Sequence, residues 1–527
     1  MNYFSRLKPI LNKLSQLNVY DSLYVVRAYM QAYDNGGINK DCIPGIDHPE
    51  TNSVEVWFAD FIIANIFKYC DDVRCQKSLR EVNTRFYICN KIEELHSEIS
   101  KKQMNQDVFV WLNSYIFNQF KIISKENELR SLYRYFSLYN TTKIRNYSEQ
   151  KMQLPLDKYF KMAFFVYAVF AGKDRFFVKE DYFIPQNLDD ANRSALDYVL
   201  SQISQTLPEM KKLCKDFCNY DEERIFGYYN DAPHVKFPLI RDKGGYFCTI
   251  PNYIPSALLD GLYYRLDIPN SCEPDINKEF SENMENYLGM IFEHFLKRSK
   301  VNYVQEITYD IGKRKSQRTS DWILWDHADI CFLDCKTKRI SVKGKQAVTV
   351  DDEEINRVVI DKPFSSTRKK KEIDDRIPEG ITKDLILIGI GVGKIFVSYD
   401  DYQKGNIEAF PFMDGKKFHA VLLTLEESFS NSPGYKERIL KVAQSYRKAK
   451  SGESEQIEKE SVKILSLKHI EEYACVIAKE GLGYFLEHHM NSKLMAQKRE
   501  NDRFLVDKCK TELINPFIEE LKPYWKR

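Results

Sequence analysis

The hydrophobic pattern divides the chain into a helical first part and a mixed second part. Up to about residue 225, apolar residues recur at intervals of three and four, as they do along helices that pack one face against a core. Residues 156–172 are apolar nearly all round, which is typical of a buried core helix. Strand-like runs broken by turns follow from residue 237. We therefore predict a large all-α N-terminal domain of unknown role over residues 1–230.

The next part of the chain predicts a helix and then three strands. Residues 285–296 carry one apolar stripe, as an amphipathic helix does. Residues 301–309 form a strand-like run. Residues 320–339 alternate bulky apolar side chains on both sides of a polar turn at 326–329, which predicts two short strands joined as a hairpin.

Two further elements complete the predicted core. Residues 384–403 predict a helix, although Gly389, Gly391 and Gly393 could also suggest a phosphate-binding loop. No Gly-Lys-Ser/Thr follows them, so a closely packed buried helix or strand is favoured. Residues 418–425 predict a buried strand, the fourth of the core. We expect an α/β core with a mixed sheet flanked by helices over residues 231–450, and a C-terminal helical extension over 451–527 that packs on it.

Candidate chemistry lies at the end of the predicted hairpin. Residues two apart in a strand share a face, so Asp334 and Lys336 project the same way. Asp321 begins the preceding strand and can join them across the hairpin. Two carboxylates and an ammonium can hold a hard divalent cation and orient a water. The alternative is a surface ion pair, but Asp334 follows the apolar run 330–333, where a charge needs a metal or an ion partner.

These residues resemble the PD-(D/E)XK nuclease superfamily, which includes many restriction and anti-phage enzymes. The resemblance covers residues 280–340 well and 236–430 loosely. Its matching pieces are Gly289-x-x-Phe292-Glu293 on the leading helix, Ser320-Asp321 for the Pro-Asp element, and Asp334-Cys335-Lys336 for the (D/E)xK element. Serine stands where the family motif has proline, which is not a ligand.

The resemblance implies a restriction-endonuclease-like fold and a Mg²⁺- or Mn²⁺-dependent endonuclease that acts on DNA, in a restriction or anti-phage setting. The metal ligands would be Asp321, Asp334, the backbone carbonyl of Cys335 and Glu293. Lys336 would position the attacking water, and a lowered pKa would let it act as a base. Two alternatives remain. One is a catalytically silent nuclease fold that serves as a nucleic-acid-binding or scaffold subunit; the other is a nuclease active only in a complex.

Charge is informative only locally, because the formal net charge of the chain is +2. Between Lys297 and Lys345, twelve Lys and Arg residues stand against six Asp and Glu residues. Such a stretch suits a polyanion gripped beside an acidic cluster, or simply a solvated basic surface. The candidate nucleic-acid contacts are Lys313, Arg314, Lys315, Arg318, Lys338, Arg339, Lys343 and Lys345.

The cysteines and the apolar runs bear on location. Twelve cysteines are scattered without paired metal-ligand spacing, which favours free thiols in a reducing compartment. The first residues show no secretory signal, and no apolar run is long enough to span a bilayer. We expect a soluble cytoplasmic protein without a membrane partner. A protein partner or a homo-oligomer through the N-terminal helical domain is the other expectation.

Overall fold

A computed structural model describes residues 3–34, 45–49, 54–70, 77–123, 128–171, 175–183, 188–217, 232–268, 274–311, 314–337, 349–360, 379–410, 412–425 and 433–488, together with isolated residues between these ranges and up to residue 513. The chain forms two compact units, residues 1–276 and 277–527.

The first unit is mostly helical. Its described helices are α1 (Tyr3–Leu14), α2 (Val19–Asp34), α3 (Val56–Tyr69), α4 (Val82–Ile123), α5 (Glu128–Tyr139), α6 (Thr142–Met152), α7 (Leu156–Ala171), α8 (Asp190–Ile203), α9 (Leu207–Phe217), α10 (Pro233–Lys236), α11 (Tyr253–Pro255) and α12 (Gly261–Arg265). A 3₁₀ turn spans Glu180–Phe183 and a π-helical turn spans Ser256–Asp260. The predicted buried helix at 156–172 is confirmed as α7, in which Tyr159, Phe160 and Phe170 are fully enclosed.

A small sheet makes the first unit more than an all-α domain. Its strands are β1 (Phe177–Lys179), β2 (Ser204–Thr206), β3 (Leu239–Asp242) and β4 (Gly245–Cys248), in the order β1-β4-β3-β2. Residues 239–248 therefore share backbone hydrogen bonds with strands from before residue 217. The compact units consequently divide after Ile276, whereas the sequence pattern placed the boundary near residue 230.

The second unit contains a larger sheet and several helices. After α13 (Pro274–Phe295), its described elements are β5 (Asn302–Gln305), β6 (Thr308–Ile311), β7 (Arg314–Arg318), β8 (Trp322–Trp325), β9 (Asp329–Lys336), α14 (Asp352–Ile360), α15 (Ile381–Gln403), β10 (Lys417–Thr424), α16 (Pro433–Ser451), β11 (Val462–Ser466), α17 (Leu467–Glu480) and α18 (Leu482–His488). Among the described strands, β6 and β7 pair only with each other.

The larger sheet is mixed and has β9 at its centre. Its order is β11-β10-β9-β8-β5, in which β11, β10 and β9 run parallel and β8 and β5 are antiparallel to their neighbours. The β10 pairing runs from Lys417 opposite Asp329 to Thr424 opposite Lys336. The predicted hairpin and the predicted strand at 418–425 are confirmed. The mixed sheet with packed helices is confirmed as well.

The sheet also extends beyond residue 450. Strand β11 pairs in parallel with β10, from Val462 opposite Ala420 to Ser466 opposite Thr424. The C-terminal stretch was expected to be a helical extension, but it adds a fifth strand. The apolar run of this strand is short and interrupted by Lys463, so its pattern does not stand out in the sequence. Residues 489–504 and 514–527 lie outside the described part of the chain.

The packing of α15 against α16 explains two of the three spaced glycines. A Cβ added at Gly389 would lie 2.6 Å from Cβ of Val442, and one at Gly393 would lie 2.8 Å from Cβ of Tyr446, both on α16. The glycines thus permit close helix packing, as the sequence interpretation favoured over a phosphate loop. Although α15 has 23 residues and is largely buried, no helix in the described ranges is both long and apolar enough to cross a membrane.

Candidate functional site at the end of the central strand

The end of β9 brings together the central pair of predicted site residues. The Nζ atom of Lys336 lies 2.8 Å from Oδ2 of Asp334 and donates a second hydrogen bond, 3.0 Å long, to the carbonyl oxygen of Cys335. Asp334 is buried, whereas the Lys336 side chain is 30% exposed. The charged pair therefore stands where a deeply buried strand reaches the surface.

Helix α15 packs against the stem of Lys336. A Cβ added at Gly391 would lie 3.4 Å from Cε of Lys336 and 3.1 Å from Cδ1 of Leu422. The middle of the helix thus limits the positions that the lysine stem can take. The ammonium is fixed from two directions, by its hydrogen bonds and by this contact.

Asp321 joins the pair across the hairpin. Trp322 pairs with Leu333, so in the antiparallel register Asp321 falls beside Asp334. Oδ2 of Asp321 accepts a hydrogen bond of 2.6 Å from the backbone N–H of Cys335. The structure therefore gathers Asp321, Asp334, Cys335 and Lys336.

Helix α13 crosses the sheet beside this group. Ser281 Oγ lies 2.9 Å from Oγ1 of Thr337, immediately after β9. Two turns along the helix, a Cβ at Gly289 would lie 2.8 Å from Cζ2 of Trp322 in β8. One turn further, Glu293 accepts a hydrogen bond of 2.7 Å from the Tyr303 hydroxyl in β5. The helix thus passes from the end of β9 over β8 to the edge strand β5.

This course places Glu285, and not Glu293, at the site. Glu285 follows Ser281 by one turn and so lies on the same helix face. Glu293 is eight residues further on, roughly 12 Å along the helix axis. Its carboxylate is 54% exposed and is bonded to Lys297 and Tyr303. The structure does not bring Glu293 to Asp321, Asp334 and Lys336.

The sequence interpretation missed Glu285 for a physical reason. Glu285, Gly289 and Glu293 are four residues apart and all fall on one helix face, so the helical pattern offers two acids equally. The choice between them depends on where the helix touches the sheet. That point is set by the contact of Gly289 with Trp322, which the pattern of α13 alone does not contain.

Two carboxyl groups at this site have raised pKa values, because they are buried and lie close to other acids. Burial and then the charge of Asp334 raise the pKa of Asp321, against the opposing effect of the Lys336 ammonium, to about 8. Burial and then the charge of Glu306 raise the pKa of Glu285, against the opposing effect of Lys336, to about 7. A single ammonium therefore does not balance the negative charge of this pocket.

Lys336 itself is held in its charged form. Burial alone would lower its pKa, but the neighbouring carboxylates of Asp334 and Asp321 outweigh burial and raise the pKa above its ordinary value. A lysine with a raised pKa keeps its proton at neutral pH. The expectation that a lowered pKa makes Lys336 a base is therefore not met, and its role is that of a hydrogen-bond donor.

The donors at this site fit a hard divalent cation. Asp321, Asp334 and the carbonyl of Cys335 supply oxygen atoms, which Mg²⁺ prefers, and Mg²⁺ keeps several water ligands of its own. Burial is the main cause of the raised pKa values of Asp321 and Glu285, and repulsion by neighbouring carboxylates adds to it. A dication would relieve that repulsion, so the charge balance and the ligand chemistry agree.

The predicted nucleic-acid contacts differ in exposure, and some lie outside the described residues. Arg314, Lys315 and Arg318 lie in β7, where Arg318 is exposed and its Nη1 is 3.3 Å from Oε1 of Glu306. Arg339 is buried and does not present its side chain on the surface. Four predicted contacts lie outside the described residues: Lys313, Lys338, Lys343 and Lys345.

No protein-family model, curated protein or solved structure matches the chain. The resemblance to the PD-(D/E)XK superfamily therefore rests on the residues of α13 and of the β8–β9 hairpin. Strands β8 and β9 of that hairpin lie side by side in the mixed sheet.

Proposed function

We propose that this protein is a metal-dependent nuclease that hydrolyses phosphodiester bonds of DNA. The observation that carries the proposal is the juxtaposition of Asp321, Asp334 and Lys336 at the end of the central strand. The same proposal includes a restriction-endonuclease-like core, Mg²⁺ or Mn²⁺ as the cofactor, and a restriction or anti-phage role. The order of α13, β5, β8 and β9 in the chain supports the core.

Each side chain has a role that its contacts make possible. A dication held by Asp321, Asp334 and the carbonyl of Cys335 would stabilise charge on the phosphoryl oxygens and acidify a bound water. Lys336 stays protonated and can donate hydrogen bonds to the attacking water and to developing negative charge. Glu285, whose pKa is about 7, can accept or release a proton at neutral pH.

The segment before Asp321 could bind a polyanion such as DNA near the acidic pocket. Strands β6 and β7 form a separate two-stranded ribbon, and β7 ends at Arg318, three residues before Asp321. The exposed guanidinium of Arg318 can bind a phosphate oxygen. DNA held by this ribbon would have its backbone close to the acidic pocket.

A metal-dependent cleavage assay tests the proposal. Purified protein should cut single-stranded, duplex or modified DNA with Mg²⁺ or Mn²⁺, and EDTA should stop the reaction. We expect Lys336→Ala and Asp334→Asn to lower the cleavage rate by at least about 100-fold, because each removes charge or ligand contacts needed in the transition state. The melting temperature of Asp334→Asn should stay near that of wild type, because the substitution weakens the ion pair with Lys336 but also removes a repulsion with Asp321.

The matched control is Lys479→Ala, since Lys479 is an exposed lysine on α17, paired with Glu480. It should cut DNA at the wild-type rate. Equal cleavage by wild type, Lys336→Ala and Asp334→Asn would overturn the proposal. DNA binding that weakens with salt, with no product under any metal, would instead favour the silent nucleic-acid-binding module.

A further inference from the structure

A second cluster of metal-ligating side chains lies at the other end of β9. Asp329 begins β9, His419 lies in β10, and Glu487 lies in α18. One ligand atom from each of these residues falls within 4.8 Å of the other two. Among the residues that the structure describes, this is the one group of three or more His, Cys or acidic side chains gathered so closely.

The histidine is enclosed and has a spare nitrogen. His419 Nε2 lies 2.6 Å from Oδ1 of Asp329, and His419 and Asp329 are only 1% and 7% exposed. The other ring nitrogen, Nδ1, is buried and has no hydrogen-bond partner within the described ranges. A buried imidazole nitrogen without a partner is costly, so the ring is not fully satisfied by protein contacts.

Helix α18 packs closely against this cluster. The backbone N–H of Leu482 donates a hydrogen bond of 2.8 Å to Oδ2 of Asp326. A Cβ added at Gly483 would lie 2.4 Å from Oδ2 of Asp329, so a glycine is required for this approach. Glu487 follows Gly483 by one turn and thereby comes to the same place. Three elements distant in sequence thus converge at one point.

The negative charges of the Asp329 and Glu487 carboxylates favour the binding of a cation. Two carboxylates meet here, and the ammonium of Lys417 hydrogen-bonds to Glu487. The Asp329 carboxylate is buried against an imidazole. One imidazole nitrogen with two carboxylate oxygens is a donor set that suits zinc, manganese and related metals, since imidazole favours transition metals over magnesium.

We propose that Asp329, His419 and Glu487 bind one divalent transition-metal ion that fastens α18 to the beginning of β9 and β10. Asp329 and Asp334 are five residues apart in one strand, roughly 16 Å. The ion would therefore be separate from the proposed hydrolytic site. Its role is structural, because it links a late helix to the central sheet.

Binding of Co²⁺, which reports its coordination by visible absorption, tests this inference. Equilibrium dialysis of the full-length protein in excess Mg²⁺, which would occupy the proposed hydrolytic site, should give one Co²⁺ per chain, displaced by Zn²⁺. We expect Glu487→Gln and His419→Ala to weaken this binding at least about 10-fold, as loss of a ligand or its charge does. Glu487 is exposed, so its variant keeps the fold even if His419→Ala does not.

Two comparisons make the result decisive. His327→Ala, at an exposed neighbouring histidine, should bind Co²⁺ as wild type does. Asp334→Asn should lose DNA cleavage and keep this ion, which separates the inference from the proposed function. No Co²⁺ or Zn²⁺ bound to wild type, or binding unchanged by Glu487→Gln, would overturn the inference and leave only a hydrogen-bonded cluster.

Discussion

At the scale of single residues, the two acids of α13 should differ in function. Glu285 lies beside the charged group, whereas Glu293 lies at the edge strand with Lys297 and Tyr303. We expect Glu285→Gln to lower the cleavage rate about 10- to 100-fold, since it removes a proton-transfer group. Glu293→Gln should stay near the wild-type rate in the same assay. A larger loss of activity for Glu293→Gln than for Glu285→Gln would instead place Glu293, the acid that the family resemblance indicates, at the site.

The raised pKa of Glu285 gives a test that does not depend on activity. Its pKa rises from 4.5 to about 7 on folding, so the folded state holds a proton that the unfolded state releases. Stability should therefore fall as pH rises from about 4.5 to about 7. Without divalent ions, Glu285→Gln should stabilise the protein at pH 8 by about 1 kcal/mol, a value reduced for partial exposure. At pH 4.5 it should change little.

Glu293→Gln is the matched control for this measurement by urea unfolding. Hydrogen bonds from Lys297 and Tyr303 lower the pKa of Glu293, so its replacement should not stabilise the protein at pH 8. Equal effects of the two variants across this pH range would contradict the placement of Glu285 in a crowded acidic pocket.

At the scale of elements, the packing of α15 on α16 makes Gly389 sensitive to one added methyl group. Gly389→Ala would gain about 1 kcal/mol of helix propensity but would cost about 1–3 kcal/mol through overpacking against Val442 and the carbonyl of Ile439. We expect the melting temperature to fall by a few degrees. Gly380→Ala, where a Cβ would meet nothing within 4 Å, should change it less. A rise for Gly389→Ala would contradict this packing.

Which elements were predictable depends on how local their signal is. The β8–β9 hairpin, α15 and β10 have long or regular apolar patterns, and all three were predicted. Strands β1 and β2 have three residues each, too few for an alternating pattern, and their sheet depends on pairing with β3 and β4. Strand β11 was missed for the same reason, since it is recognised only through β10.

The residues of the candidate site also differ in whether a local sequence pattern could predict them. Asp334 and Lys336 share a strand face, and Asp321 follows from hairpin register, so neighbours in sequence predicted these three residues. Glu285 depends on a helix-to-sheet contact, and the Asp329, His419 and Glu487 cluster depends on three elements that span more than 150 residues. Contacts at that separation are not encoded in the periodicity of any one segment.

At the scale of the whole molecule, charge gives little long-range attraction for DNA. The chain has 78 Lys and Arg residues and 76 Asp and Glu residues. A nearly neutral protein does not steer a polyanion from a distance. Any attraction must come from local groups such as Arg318 and from a cation in the acidic pocket. This places the cofactor at the centre of both binding and hydrolysis in the proposed function.

The position of β9 between β8 and β10 also bears on when the candidate site can form during translation. Asp334 and Lys336 pair with residues 422 and 424 of β10. Ribosomes add about 5–20 residues per second, so roughly 4–18 s separate the synthesis of Lys336 from that of Thr424. During that interval the nascent chain carries its acidic residues and its lysine on a strand that lacks one neighbour. The geometry of the candidate site can therefore be completed only after translation has passed β10.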